Sequence, residues 1–138
     1  LFSEFSGLGN VCVEKPPEVM ASPDFIILRQ SLCYCDININ YSSSVSLEAI
    51  LLDKPVINYI EPGMPIYDYD HYRPLVEARA VKLASANPAD LARAINEYLK
   101  NPALDGENRA RVAEVYFPFQ DGLSSERSVD FLDKIIVS

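Results

Sequence analysis

The sequence predicts an α/β fold with a short parallel sheet of about four strands, helices on both faces and a run of helices closing the carboxyl end. Three observations predict it. Short Val/Ile-rich runs alternate with stretches of helical apolar spacing, and Pro, Gly and Asn mark the junctions between them. Residues 36–60 then read as strand, Ser-rich loop, short helix and strand, which is the unit of a right-handed parallel crossover.

Taken in order, residues 1–9 look like the end of a helix and a Gly-marked turn, and Asn10 to Glu14 alternates like a strand before Pro16-Pro17 closes it. Ser22-Pro23-Asp24 opens a helix to about Tyr34, with Phe25, Ile26, Leu28, Leu32 and Cys35 as its apolar face. Ile37 and Ile39 mark a strand. A helix over Val45 to Leu52 follows, ended by Asp53-Lys54-Pro55 because a residue before proline is pushed out of the α region. Val56 to Ile60 is the next strand. Glu61 to Pro65 is a loop, and Pro74 to Ala78 continues a short helix. Ala80 to Ala84 is read as a fourth strand, and Asn87-Pro88 caps a helix whose inner face is Leu91, Ala94, Ile95, Tyr98 and Leu99. Residues 105–117 and 124–137 form two further helices, the last with Val129, Leu132, Ile135 and Ile136 facing inward.

The Ser-rich junction carries the chemistry. About four N–H groups at a helix start lack partners, and the peptide dipoles place positive charge there, which suits a phosphate. Ser42, Ser43, Ser44 and Ser46 are small enough to let a diphosphate reach that backbone and add hydroxyl donors. The structural alternative is that Ser44 only caps the helix. Glu48 is not explained by a cap, because a capping-box glutamate lies three residues after its cap and that position is Val45. A carboxylate one turn in can accept from both ribose hydroxyls, or merely favour the helix dipole. No Gly-x-Gly-x-x-Gly and no Walker lysine is present. Downstream, three tyrosines with His71 and Arg73 fall within residues 67–73, beyond the carboxyl end of the second strand, where open parallel sheets bind ligands. His71 and Arg73 are candidate donor or acceptor contacts there, or simply the start of the next helix.

Composition bounds the partners. The net charge of −8 opposes an electrostatic grip on nucleic acid or on an anionic membrane. No stretch approaches the ~20 apolar residues of a membrane span. Cys12, Cys33 and Cys35 are odd in number, lack metal-ligand spacing and share the chain with a single His, so reduced thiols and no metal are expected. The 138 residues suffice for one domain, and the opening Leu suggests a piece of a longer protein.

Asp36, the 42–46 serine cluster, Leu47-Glu48-Ala49 and Lys54-Pro55-Val56-Ile57 resemble the donor half of two-domain Rossmann-like (GT-B) glycosyltransferases. They resemble equally the relatives of those enzymes, the glycerophosphotransferases and sugar-nucleotide 2-epimerases. The later succession of His71, the strand, the Pro-Ala-Asp-Leu helix, an Arg-bearing helix and Asp121-Gly122-Leu-Ser-Ser-Glu-Arg127 is similar to the carboxyl end of bacterial polysaccharide-type members. The resemblance covers roughly residues 10–137 and implies a Rossmann-like, carboxyl-terminal donor domain. It implies a cytoplasmic glycosyltransferase moving a sugar from a nucleoside diphosphate to a saccharide or lipid acceptor, without a cofactor. The ribose is assigned to Glu48, the diphosphate to the serines, and the acceptor and its base to an absent amino-terminal half, through which the enzyme is expected to reach the membrane surface. Such a fragment alone is expected to be inactive. The nearest alternatives are a CDP-glycerol-type glycerophosphotransferase, a 2-epimerase, and an interaction domain with no ligand. Such domains usually begin with one more strand and helix than this chain has.

Overall fold

A computed structural model of the chain describes residues 5, 7–14, 22–61, 63, 70, 72–85 and 87–136. The chain divides into two compact units, Leu1–Ser31 and Leu32–Ser138. In the first, Leu8 donates to the Phe5 carbonyl and Val11 to that of Leu8, both at 3.1 Å, so the Gly-marked turn forms as expected. The strand expected at Asn10 to Glu14 does not. Residues 11–14 are irregular, with Val11 and Val13 exposed and no ladder partner among the described residues, and alternation without pairing does not make a strand. Helix α1 (Ser22–Tyr34) starts at the predicted signal and its last turn falls in the second unit. Of its expected apolar face only Leu32 is buried, while Leu28 and Cys35 are half-buried and Phe25 and Ile26 are exposed.

The second unit is built on three parallel strands, β1 (Asn38–Asn40), β2 (Val56–Ile60) and β3 (Lys82–Ser85), in the order β1-β2-β3. The sheet thus has three strands among the described residues rather than about four, the difference being the segment at 10–14. The predicted strand at Ala80 to Ala84 sits two residues later, and Ala80 and Val81 are buried ahead of it. Val56, Ile57 and Asn58 in the central strand are all fully buried, as a parallel sheet covered on both faces requires. Ile57 packs with Ala84 and with Ala94 and Tyr98 of α4 (Pro88–Lys100). Its neighbour Asn58 points the other way and meets Ser46 of α2 (Val45–Leu51). Successive side chains of a strand face opposite sides, so α2 and α4 lie on opposite faces of the sheet.

Helix α2 ends one residue earlier than predicted, by a device other than proline. Asp53 is left-handed (φ 52°), its N–H donates to Ile50 O, and Lys54 N–H reaches back to Ala49 O at 2.8 Å. That is the Schellman closure, with Asp where Gly is usual. The short helix α3 (Arg73–Glu77) closes the same way, with Arg79 at φ 54°. Helix α4 is capped as expected, Asn87 Oδ1 accepting from Ala89 N–H at 3.0 Å, but Leu99 is 55% exposed and not on the inner face. Helix α5 (Gly106–Tyr116) packs on α2. Helix α6 (Ser124–Ile136) forms where predicted, yet none of its residues is buried. Val129, Leu132, Ile135 and Ile136 are each more than half exposed, so the inward face read from spacing is corrected.

Candidate functional site

Strand β1 stops at Asn40, and the chain turns through Tyr41 to Ser44 into α2 at the carboxyl edge of the sheet. Ser42 takes a left-handed conformation (φ 50°), which a non-glycine residue adopts only against a steric cost of about 1–2 kcal/mol. Side chains beneath the turn hold it. Asn40 Oδ1 accepts the Ser43 N–H at 2.9 Å, and Asn40 Nδ2 donates to Ser46 Oγ at 3.1 Å and to Asn38 Oδ1. Ser46 Oγ in turn lies 3.3 Å from Asn58 Oδ1 and 3.3 Å from Asn40 Oδ1, so its single proton serves one of these acceptors at a time. Ser46 and Asn58 are completely buried. The Asn58 Nδ2 has no hydrogen-bond partner among the described residues, an omission that typically costs about 1–3 kcal/mol.

Tyr72, at the cap position of α3, closes the cluster from the other side. It is buried, and burial raises its phenol pKa; the hydroxyls of Ser46 and Ser42 beside it offset part of that rise. The turn is therefore lined underneath by Asn40 from β1, Asn58 from β2 and Tyr72 from the start of α3.

The structure brings Ser42, Ser43, Ser44, Ser46 and Glu48 together within one turn of chain, but not in equivalent settings. Ser44 and Glu48 are exposed, Ser42 and Ser43 are half-buried, and Ser46 faces inward. Ser44 occupies the cap position in helical conformation and its hydroxyl caps nothing, so the purely structural reading of that serine does not describe it. Val45 N–H contacts Ser43 Oγ at 3.4 Å, while Ser46 and Leu47 N–H donate to the carbonyls of Ser43 and Ser44 at 2.9 Å, so part of the amide array is engaged locally. Arg73 adjoins Tyr72 and pairs with Asp70 at 3.0 Å on the surface. His71 lies outside the described residues.

Reasoning from sequence missed Asn40 and Asn58, and it placed Tyr72 in the 67–73 aromatic cluster without foreseeing its position under the serine turn. The available signal was Asn58 itself, the one polar residue in the run Val56-Ile57-Asn58-Tyr59-Ile60.

At the far carboxyl end, the Asp121 to Arg127 motif folds as a unit. Arg127 donates Nη1 to Asp121 Oδ1 at 2.9 Å and Nη2 to Oδ2, and Leu123 N–H adds a bond at 3.1 Å. Gly122 between them is left-handed (φ 79°), and the guanidinium stacks 4.2 Å from the Phe119 ring centre. The arginine, then the Leu123 amide, hold the Asp121 carboxyl at about 2, well below the usual carboxylate range.

Two shallow clefts open elsewhere among the described residues. One lies below the amino ends of β1 and β2, lined by Cys35, Asp36, Asp53, Lys54 and Pro55 with the Pro102-Ala103 turn; the other runs between α2 and α5. The cysteines are free thiols, and burial raises the pKa of Cys35. Among the described residues no group of His, Cys, Asp or Glu could hold a metal ion, and no helix is long and apolar enough to cross a membrane.

A comparison with curated proteins and with solved structures found no match. Residues 22–134 match the family described as CDP-Glycerol:Poly(glycerophosphate) glycerophosphotransferase, a span that takes in the whole parallel sheet, the serine turn and the Asp121–Arg127 unit. With most of its length matched, and with the α/β architecture that the resemblance implied, the chain belongs to the CDP-glycerol:poly(glycerophosphate) glycerophosphotransferase family, a family of transferases.

Proposed function

We propose that this chain is the donor-binding part of a transferase that takes a glycerophosphoryl unit from CDP-glycerol and adds it to a glycerophosphate polymer. The family match over residues 22–134 carries this reading, because the serine turn within it sits at the sheet edge where a nucleotide would be held. In that reaction an acceptor hydroxyl oxygen attacks the phosphorus bonded to glycerol. A new P–O bond forms, the bond from that phosphorus to the bridging oxygen breaks, and CMP leaves with the electron pair. The acceptor's proton passes to a general base. Ser42, Ser43 and Ser44 hold the diphosphate, their dipoles fixed before charge develops on the leaving oxygen. Glu48 accepts from the ribose hydroxyls, and Arg73 and His71 stand as further donor or acceptor contacts. The reaction is read as cytoplasmic, at the membrane surface where the acceptor is lipid-linked.

Transfer of a sugar from a nucleoside diphosphate is the second reading, favoured by the wider resemblance of the serine turn and Leu47-Glu48-Ala49. The two differ in the leaving group, which is CMP in the first and a nucleoside diphosphate in the second.

Titrating CDP, UDP, GDP and ADP against the labelled chain should shift the amides of residues 42–48, most strongly with CDP. Shifts confined to another surface would end the donor-site reading. Glu48→Gln should weaken ribonucleotide binding about tenfold and narrow the gap to the 2′-deoxyribonucleotide, as loss of a charge-assisted hydrogen bond requires. In the full-length protein, CMP as the product of turnover supports glycerophosphoryl transfer; release of UDP or another nucleoside diphosphate from a sugar donor selects the second reading.

A further inference from the structure

We propose that Asn58 is a positioning residue for the serine turn, acting through a buried relay in which its side chain holds Ser46, Ser46 holds Asn40, and Asn40 fixes the Ser43 amide. The inference rests on the donor site proposed above and adds a residue that no part of that reading includes. Asn58 sits in the central strand, fully buried, with its Oδ1 3.3 Å from Ser46 Oγ. From Ser46 the path continues through Asn40 Nδ2 at 3.1 Å and ends where Asn40 Oδ1 accepts the Ser43 N–H at 2.9 Å. Three side chains thus connect the sheet interior to the backbone of the turn.

The physical reason for assigning a role is that Asn58 is a poor choice for stability. Its Nδ2 is buried with no partner among the described residues, and its neighbours on β2 are Ile57 and Tyr59 in a strand otherwise suited to branched apolar side chains. Ser46 does not need it either, since Asn40 Oδ1 lies at the same 3.3 Å and can take the proton. A side chain that lowers stability, yet aims an acceptor at the residue under a left-handed turn, is explained if it selects one geometry for that turn. With Asn58 present, the Ser46 proton has an acceptor on β2, which frees Asn40 Oδ1 for the Ser43 N–H while Asn40 Nδ2 donates to Ser46. Without it, the Ser46 hydroxyl competes for the same Asn40 oxygen, and Ser43 is held less firmly.

Asn58→Val and Asn58→Thr make the test, because the two replacements share a shape and differ in a hydroxyl that can accept from Ser46. The valine variant should melt at the same temperature as the parent or higher. Its Ser43 and Ser44 amides should shift without ligand, and CDP affinity should fall roughly three- to thirtyfold. The threonine variant should recover most of that affinity. A valine variant that is less stable but binds CDP as the parent does would show the network to be structural only and would overturn the inference. If the valine variant does not fold, Asn40→Ala, which removes the acceptor of the Ser43 amide, carries the same expectation for CDP and the same overturning result. A parent chain whose residues 42–48 are unmoved by CDP sinks the donor site itself, and the positioning role with it; a parent that binds CDP there alongside an unaffected valine variant sinks only the positioning role.

Discussion

At Asp121 a surface carboxylate is held ionised by three hydrogen bonds from two neighbours, and the consequence can be read against pH. The folded value of about 2 lies below the ordinary Asp value of about 3.9, so the unit contributes fully above pH ~4 and is lost as pH falls through about 2. The carboxyl carbon of Asp121 should titrate near 2 by NMR, and Arg127→Gln should return the midpoint toward 3.9. An unchanged midpoint in that variant would show that the arginine is not the cause. The Asp-Gly-x-x-x-x-Arg spacing was legible in the sequence, and so was Asn87, because a cap ahead of Pro88 needs only local geometry. Asn58 was not legible as part of the site. Its partner Ser46 is 12 residues away, and their meeting depends on the register of β1 on β2.

Helix α2 is gripped at both ends, which is the element-level basis for a defined serine turn. At its carboxyl end Arg109, only 1% exposed, donates Nε to Asp53 Oδ1 at 2.9 Å, Nη1 to Leu104 O at 2.7 Å and Nη2 to Pro102 O at 3.3 Å. One guanidinium therefore joins the α2 terminus to the turn between α4 and α5. Arg109→Met should destabilise the fold by about 2–4 kcal/mol, since a fully buried guanidinium and its three hydrogen bonds are lost together. Asp53→Asn should cost less than about 1 kcal/mol, because Asp53 is mostly exposed and solvent screens its charge. Urea unfolding of the two variants checks the order; equal losses would mean that the ion pair, and not the carbonyl contacts, dominates. The end of α2 was legible from Lys54-Pro55, but the device that ends it was not. An aspartate gives no sign that it will be left-handed, and an arginine in a charged amphipathic stretch gives no sign that it will be buried.

For the whole molecule, apolar spacing located the helices and failed to say which of them bury what they present. Residues of α4 with helical spacing do enter the core with β2 and β3. Those of α6 have the same spacing and enter nothing among the described residues. The pattern records that a face is apolar, while burial depends on a neighbour that no single helix encodes. Val129→Ser and Leu132→Ser should therefore change stability by no more than about 0.5 kcal/mol, whereas Ile57→Ala in the core should cost about 2–5 kcal/mol. Thermal unfolding of the three variants decides this, and a large loss from either α6 substitution would show that the helix is covered in solution. The parallel order of the sheet was legible because a helix as short as α2 between two strands leaves few other connections.

The strands also differ in length in a way that shapes the edge above them. Strand β1 stops at Asn40 opposite Asn58, while β2 runs on through Tyr59 and Ile60, whose ladder partners among the described residues are Ala84 and Ser85 of β3. At about 3.3 Å per residue, this makes a step of roughly 6–7 Å from the tread of β1 to the riser of β2. The serine turn leaves from the lower level. Whatever rests on it is backed by main chain on the β2 side, so the stair gives the edge a handedness of approach that a level sheet would lack.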